Sequence, residues 1–266
     1  MDSPPGHAII VGVSGVAAAT ASLLAAKGLV ASISLIYRSR AAEAAALRDA
    51  LASPALACAA FRADVTADAE VRAAFAAAVA AHGPPTLVIN AAGATVRVPL
   101  EDLEGATDEI WGRLYSTNVI GAFHVTRAAA AAMGGAPSDG STRRAIINIS
   151  SVAGRLAQGS SLPYACSKAA LDALTAGMAR TLAPRGIRVL GVAPGFIAGE
   201  WLEGLLGDGY AGAKAAFEAS LPLRRVCTPE SVAEVVVALG TGAAAMTGQT
   251  VVVDGGMCIA GFSATL

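Results

Sequence analysis

The sequence has little charge. Asp, Glu, Lys and Arg make up only 15% of its 266 residues, and the formal net charge is -1. Such a balance offers no basic face for nucleic acid or for an acidic membrane surface. Its four cysteines, Cys58, Cys166, Cys227 and Cys258, are scattered without a CxxC pair. Neither a zinc site nor a disulfide framework is expected, and no metal is assigned. Cys166 reads as a small packing residue. No apolar stretch runs long enough without polar interruption to cross a bilayer. The opening MDSPPGHAIIVG lacks the basic start and long apolar core of a signal peptide. These absences lead to the expectation of a protein of the reducing cytoplasm.

Apolar residues, by contrast, make up 55% of the chain. They fall into short runs that alternate with Ala-rich helical stretches. Ala8–Val11, Ser32–Tyr37, Leu56–Phe61, Leu87–Asn90, Ala145–Ile149, Ile187–Val192 and Thr250–Val253 read as strands. Ala18–Lys27, Ala41–Leu51, Ala67–Ala81, Asp108–Met133, Ala169–Leu182 and Pro229–Leu239 read as helices. Continuous apolar strands separated by helices predict an α/β fold: a Rossmann-like, doubly wound, parallel seven-stranded sheet with helices on both faces. No linker or composition shift divides the chain, so residues 1–266 are expected to form a single domain. Gly134–Arg144 reads as a polar, mobile loop. The tail Met257–Leu266 is apolar enough to pack on another subunit. Ala198–Leu223 sets five glycines among Trp201, Leu202, Leu205, Leu206, Tyr210 and Phe217. That composition suits a lid over an apolar substrate, spanning about 196–223; a pair of amphipathic surface helices is the alternative.

The chemistry-bearing stretch is Ser150–Lys168, SSVAGRLAQGSSLPYACSK. Tyr164 and Lys168 are four apart and share a helix face. An ammonium beside a phenol favours the phenolate and is expected to bring its pKa down from about 10. Such a pair supports acid–base chemistry, and Ser151 can offer a hydroxyl to the same oxygen. Upstream, the strand at Ala8–Val11 leads through Gly12-Val13-Ser14-Gly15-Val16-Ala17 into a helix. A glycine turn between strand and helix lets the backbone approach a pyrophosphate. At the end of the second strand stand Tyr37, Arg38, Ser39 and Arg40, with no acid to take a ribose 2′-hydroxyl. Arg38 and Ser39 suit a 2′-phosphate instead.

Taken in order, these motifs resemble the short-chain dehydrogenase/reductases over roughly residues 8–256, and within them the β-ketoacyl-carrier-protein reductases. The resemblance rests on Ser151, Tyr164-x-x-x-Lys168, NISSVAG at Asn148–Gly154, Asn90-Ala91-Ala92-Gly93 in place of NNAG, Asn118-x-x-Gly121, the Pro194-Gly195 turn and MTGQTVVVDGG at Met246–Gly256. It departs at the first glycine turn, which is one residue short, has Val11 in place of Thr and Ala17 in place of the third glycine. It departs again at Gly199, where relatives often carry Thr.

The resemblance implies an oxidoreductase that moves a hydride between NADP(H), or else NAD(H), and a carbonyl or secondary alcohol. Tyr164 would exchange the proton, Ser151 would bind the reacting oxygen, Lys168 would also hold the nicotinamide ribose, and Asn118 would hold a water linking Lys168 to solvent. The cofactor would lie along Gly12, Ser14, Gly15, Val16, Arg38, Ser39, Asp64, Val65, Asn90, Ala91, Gly93, Pro194, Gly195 and Ile197, with Asp64 meeting the adenine amino group. A homodimer or homotetramer is implied. An NAD-dependent alcohol dehydrogenase of the same fold and a catalytically inactive nucleotide-binding protein are the rival readings. No nucleophile elbow or metal cluster supports a non-redox enzyme.

Overall fold

A computed structural model of the chain describes residues 6–135 and 144–260, except for the side chains of 200 and 201. Seven parallel strands form one sheet in the order β3-β2-β1-β4-β5-β6-β7. They are β1 (Gly6–Val11), β2 (Val30–Tyr37), β3 (Ala57–Arg62), β4 (Pro85–Asn90), β5 (Arg144–Ile149), β6 (Ile187–Pro194) and β7 (Thr250–Val253). The predicted parallel sheet is therefore present, with most strands one or two residues longer than the apolar runs. Pro85 opens β4, where its missing N–H costs no ladder bond.

The apolar runs are continuous because both sheet faces are covered. Successive side chains of a strand point to opposite faces. On β1, Ala8 and Ile10 join one core while Ile9 and Val11 join the other. Leu87 and Ile89 of β4 part from Val88 in the same way. The first core is closed by α1 (Val16–Ala26), α2 (Ala41–Leu51) and α10 (Pro229–Thr241), through Ala21, Leu24, Ala44, Val232 and Val236. The second is closed by α3 (Asp68–His82), α5 (Ala122–Met133) and α7 (Leu162–Leu182), through Phe75, Val125 and Leu182. Ile9, Ile10, Ile89 and Ile147 are fully buried, each contributing about 1.5–3 kcal/mol.

The helix read over Asp108–Met133 is present as one unbroken helical run, with a wider turn inside it. α4 (Asp108–Tyr115) passes into a π-helical turn, Ser116–Gly121, and then into α5. A wider turn of this kind leaves backbone and side-chain groups out of the regular ladder. Gly121 lets it pack, since a Cβ there would lie 2.8 Å from Val65 Cγ2.

Two short helices, α8 (Glu200–Leu206) and α9 (Tyr210–Ser220), occupy the segment read as a lid. They flank a 3₁₀ turn at Gly207–Gly209. Leu202, Leu206, Tyr210 and Phe217 pack with Phe196, Val152 and Met257 into a separate apolar cluster. Met257, at the start of the tail, is thus buried within its own chain, whereas Ile259 is 84% exposed. Most of the Gly134–Arg144 loop and the end of the tail lie outside the described residues. Among the described residues no helix is long and apolar enough to cross a membrane.

Candidate active site

The site residues gather at the carboxyl ends of the strands. β5 delivers Ser150 and Ser151, and the chain there is tied to β6 by Ser150 N–H to the Val192 carbonyl at 2.7 Å and Val152 N–H to the Pro194 carbonyl at 3.0 Å. Ser150 points its hydroxyl at the Lys168 carbonyl, which fits a backbone-bonding role. Ser151 Oγ accepts from Ala153 N–H at 3.2 Å and lies near enough to the Tyr164 hydroxyl to influence its proton. A four-residue helix, α6 (Ala153–Leu156), follows.

Helix α7 carries Tyr164 and Lys168 into this corner. Ser161 caps it by accepting from Tyr164 N–H at 3.3 Å, and Pro163 stands in its first turn. Gly154 lets α6 sit against α7, because a Cβ would be 2.6 Å from Ala169 N. Tyr164 and Lys168 are 8% and 4% exposed. Lys168 Nζ donates to the Ile149 carbonyl at 3.0 Å and lies 5.7 Å from the Tyr164 ring centre.

The electrostatics differ from the sequence reading. Burial pushes the Tyr164 phenol up to about 12, opposed by the neighbouring Ser151 hydroxyl. Burial also pushes the Lys168 ammonium down to about 8, opposed by the charge of Asp172. The expected lowering of the phenol by the ammonium is therefore not the dominant effect. Both charged forms lose water on burial, and the Lys168 ammonium is committed to a carbonyl. The site holds a protonated phenol at neutral pH.

Asn118 lies in the π-helical turn and is 1% exposed. Its Oδ1 accepts from Ala94 N–H at 2.8 Å, and its Nδ2 donates to the Ala94 carbonyl at 3.0 Å and to Ser167 Oγ at 2.9 Å. Ser167 Oγ in turn donates to the Tyr164 carbonyl at 2.7 Å. The side chain of Asn118 thus joins the loop at Ala94 to helix α7. Ser167 was not singled out from the sequence; its place one residue before Lys168 on the face opposite solvent was the available signal.

The remaining motif residues lie along the same edge. Gly12 has φ 118° and donates to the Ile36 carbonyl at 2.8 Å. A Cβ on it would meet Ala17 Cβ at 3.2 Å and Ala91 Cβ at 3.6 Å. Ser14 and Gly15 are exposed, Val16 is buried, and a Cβ on Gly15 would enter open space. Gly93 adjoins the core of the site, as a Cβ there would lie 3.5 Å from Asn118 Oδ1 and 3.6 Å from Lys168 Nζ. Buried Asn90 donates to Asn148 at 3.1 Å, and Asn148 donates to Thr175 at 3.0 Å. The Asn90 Oδ1 is buried with no hydrogen-bond partner. Beyond β6, Gly195 N–H donates to the Val253 carbonyl at 2.8 Å, and Ile197 bridges Cys227. Gly199 N–H donates to the Tyr210 hydroxyl at 3.0 Å.

At the far end, Arg38 and Ser39 are exposed after β2. Asp64 is more occupied than expected. Its Oδ1 accepts from Thr66 N–H and Oγ1 at 2.9 and 2.8 Å, and its Oδ2 lies 3.9 Å from Arg38. Val65 is buried, and its carbonyl bonds the His124 ring at 2.9 Å. An open glycine turn at a helix start, an unpartnered Asn90 oxygen and exposed basic residues after β2 suit a dinucleotide.

The family described as enoyl-(acyl carrier protein) reductase matches residues 11–258. The chain is 36% identical over 245 residues to a protein of Streptomyces violaceoruber named as a ketoacyl reductase of the granaticin polyketide synthase, covering 91% of this chain and 92% of that one. It is 36% identical over 252 residues to a cis-4-hydroxycyclohexanecarboxylate dehydrogenase of Sinomonas cyclohexanicum, covering 94% and 95%. Among solved structures, a short-chain dehydrogenase/reductase from Burkholderia xenovorans superposes with a TM-score of 0.85 at 31% identity, covering 97% of this chain and 100% of that one. One from Serratia marcescens does so with a TM-score of 0.82 at 28% identity, covering 95% and 98%. With the parallel sheet, the Ser151–Tyr164–Lys168 corner and these relatives in hand, the chain belongs to the short-chain dehydrogenase/reductase family and is an oxidoreductase of CH–OH and C=O groups that uses a nicotinamide cofactor.

Proposed function

We propose that this protein is an NADP(H)-dependent ketoreductase, formed of one domain over residues 1–266 with 196–223 as its lid. The observation that carries this reading is the buried Tyr164 phenol, set beside Lys168 and next to Ser151 at the carboxyl ends of the strands. When bound, the nicotinamide supplies a hydride in reduction or takes one in oxidation. Ser151 donates a hydrogen bond to the carbonyl oxygen, where negative charge grows. Tyr164 would give its phenolic proton to that oxygen as the carbonyl is reduced, leaving an alcohol and a phenolate. Lys168, 5.7 Å from the ring, would offset the new phenolate charge and hold the nicotinamide ribose.

Asn118 positions these groups through Ala94 and Ser167. The apolar cluster of Phe196, Leu202, Leu206 and Phe217 beside the site suits a hydrophobic or cyclic ketone, a class in keeping with the names of the two relatives. The rest of the assignment is a homodimer or homotetramer of the cytoplasm.

Arg38 and Ser39, with no acid after β2, favour NADP(H). The 3.9 Å approach of Arg38 to Asp64 favours the alternative, an NAD-dependent alcohol dehydrogenase, because it takes up part of the Arg38 charge. Initial rates of cyclic-ketone reduction with NADPH and with NADH separate the two. Tyr164→Phe is expected to lose 10²-fold or more in turnover; full turnover in that variant would sink the mechanism.

A further inference from the structure

Arg62 is the last residue of β3, and it pairs in register with Tyr37, the last residue of β2. Arg38 follows Tyr37 directly. Parallel pairing therefore sets Arg62 and Arg38 at one corner of the sheet, at the carboxyl ends of the edge strand β3 and its neighbour β2. Arg62 Nε donates to the Arg38 carbonyl at 3.2 Å, which ties the residues together. That bond leaves both terminal nitrogens of Arg62 free to fork onto a second group. Arg62 is exposed, and among the described residues it has no carboxylate within ion-pair distance.

Charge balance makes Arg62 matter. Arg38 lies 3.9 Å from Asp64 Oδ2, and Glu70 Oε2 accepts from Asp64 N–H at 3.0 Å. Arg40 stands 4.0 Å from Glu43. Without Arg62, the Arg38 guanidinium faces two carboxylates, so the corner would carry net negative charge. A phosphate monoester brings about 1.5–2 further negative charges at neutral pH. With Arg62 the corner is balanced before the phosphate arrives. The charges of Arg38 and Arg62 both act on Asp64, which places Arg62 within electrostatic reach of the same spot.

We infer that Arg62 is a specificity-determining residue: with Arg38, it grips the ribose 2′-phosphate of the cofactor from the neighbouring strand. The inference rests on the NADP(H) reading above and adds a residue to it. Nothing in the sequence pointed to Arg62, because only the strand register brings it beside Arg38.

Calorimetric titration tests it with two probes that cannot react, adenosine 2′,5′-bisphosphate and adenosine 5′-monophosphate, which differ only in the 2′-phosphate. The wild-type protein is expected to bind the bisphosphate more tightly. Arg62→Gln should weaken bisphosphate binding by about tenfold and leave the monophosphate unchanged. Arg62→Lys, which keeps the charge but loses the fork, should fall between. Arg38→Gln is the control. If Arg38→Gln loses the preference and Arg62→Gln keeps it, the role of Arg62 is overturned and the NADP(H) reading stands. If the wild-type protein shows no preference for the bisphosphate, the NADP(H) reading fails and the role of Arg62 fails with it. Arg62 is a surface residue, so a thermal melt matching wild type is expected for each variant.

Discussion

Asn118 holds Ala94 by both of its main-chain polar atoms: Oδ1 takes the N–H at 2.8 Å and Nδ2 gives to the carbonyl at 3.0 Å. The loop after β4 is thereby fastened to the π-helical turn, and through Ser167 to the backbone of Tyr164. Asn118→Ala would strand a buried donor and a buried acceptor. Each unpaired group costs about 1–3 kcal/mol. Urea denaturation is expected to show a loss of about 2–4 kcal/mol, with turnover falling alongside as the loop loosens. Asn118→Gln, one methylene longer, should not restore it. Unchanged stability in Asn118→Ala would mean the clamp contributes nothing.

Lys168 is a buried cation, and its charge works against folding at neutral pH. Its folded pKa, about 8, lies below the ordinary 10.5. Between these values the unfolded chain binds more protons than the folded one, so stability rises with pH there. Below about 8 the cost is present in full. Lys168→Met should therefore be more stable than wild type at pH 7, by about 1–3 kcal/mol, while losing nearly all turnover. The stability gap should narrow as the pH is raised from 8 to 10. Paired urea melts at pH 7 and pH 10 measure it; a gap that widens with pH contradicts the burial argument.

Gly121 and Val65 form a fit that allows no larger residue. A Cβ on Gly121 would come 2.8 Å from Val65 Cγ2 and 3.3 Å from the Ser116 carbonyl. Gly121→Ala is expected to cost about 1–3 kcal/mol through overpacking. Val65→Ala removes the offending methyl groups, so the double variant should recover part of that loss. A double-mutant cycle on thermal melts reads the coupling. Strict additivity would show that the two residues do not press on each other.

The fold was largely legible in the linear chain. Continuous apolar runs at Ile9–Val11, Leu87–Ile89 and Ile146–Ile147 announce strands covered on both faces, and α2 falls on its predicted bounds. The long helix over Asp108–Met133 falls on its predicted bounds, but its π-helical turn at Ser116–Gly121 was not legible, because periodicity is nearly the same for an α-helix and for one containing a single wider turn. The Tyr164–Lys168 pairing was legible as spacing, yet its electrostatic sign was not. Spacing fixes which face two residues share; it does not fix how much water they lose.

What the sequence determined by itself was the order of strands and helices and the identity of the chemical groups, since both depend on local pattern. Tertiary structure alone decided the burial of Tyr164 and Lys168, the clamp of Asn118 on Ala94 and the meeting of Arg62 with Arg38. Those outcomes join residues far apart in the chain, and they depend on desolvation and strand register, which exist only once the sheet has closed its two faces.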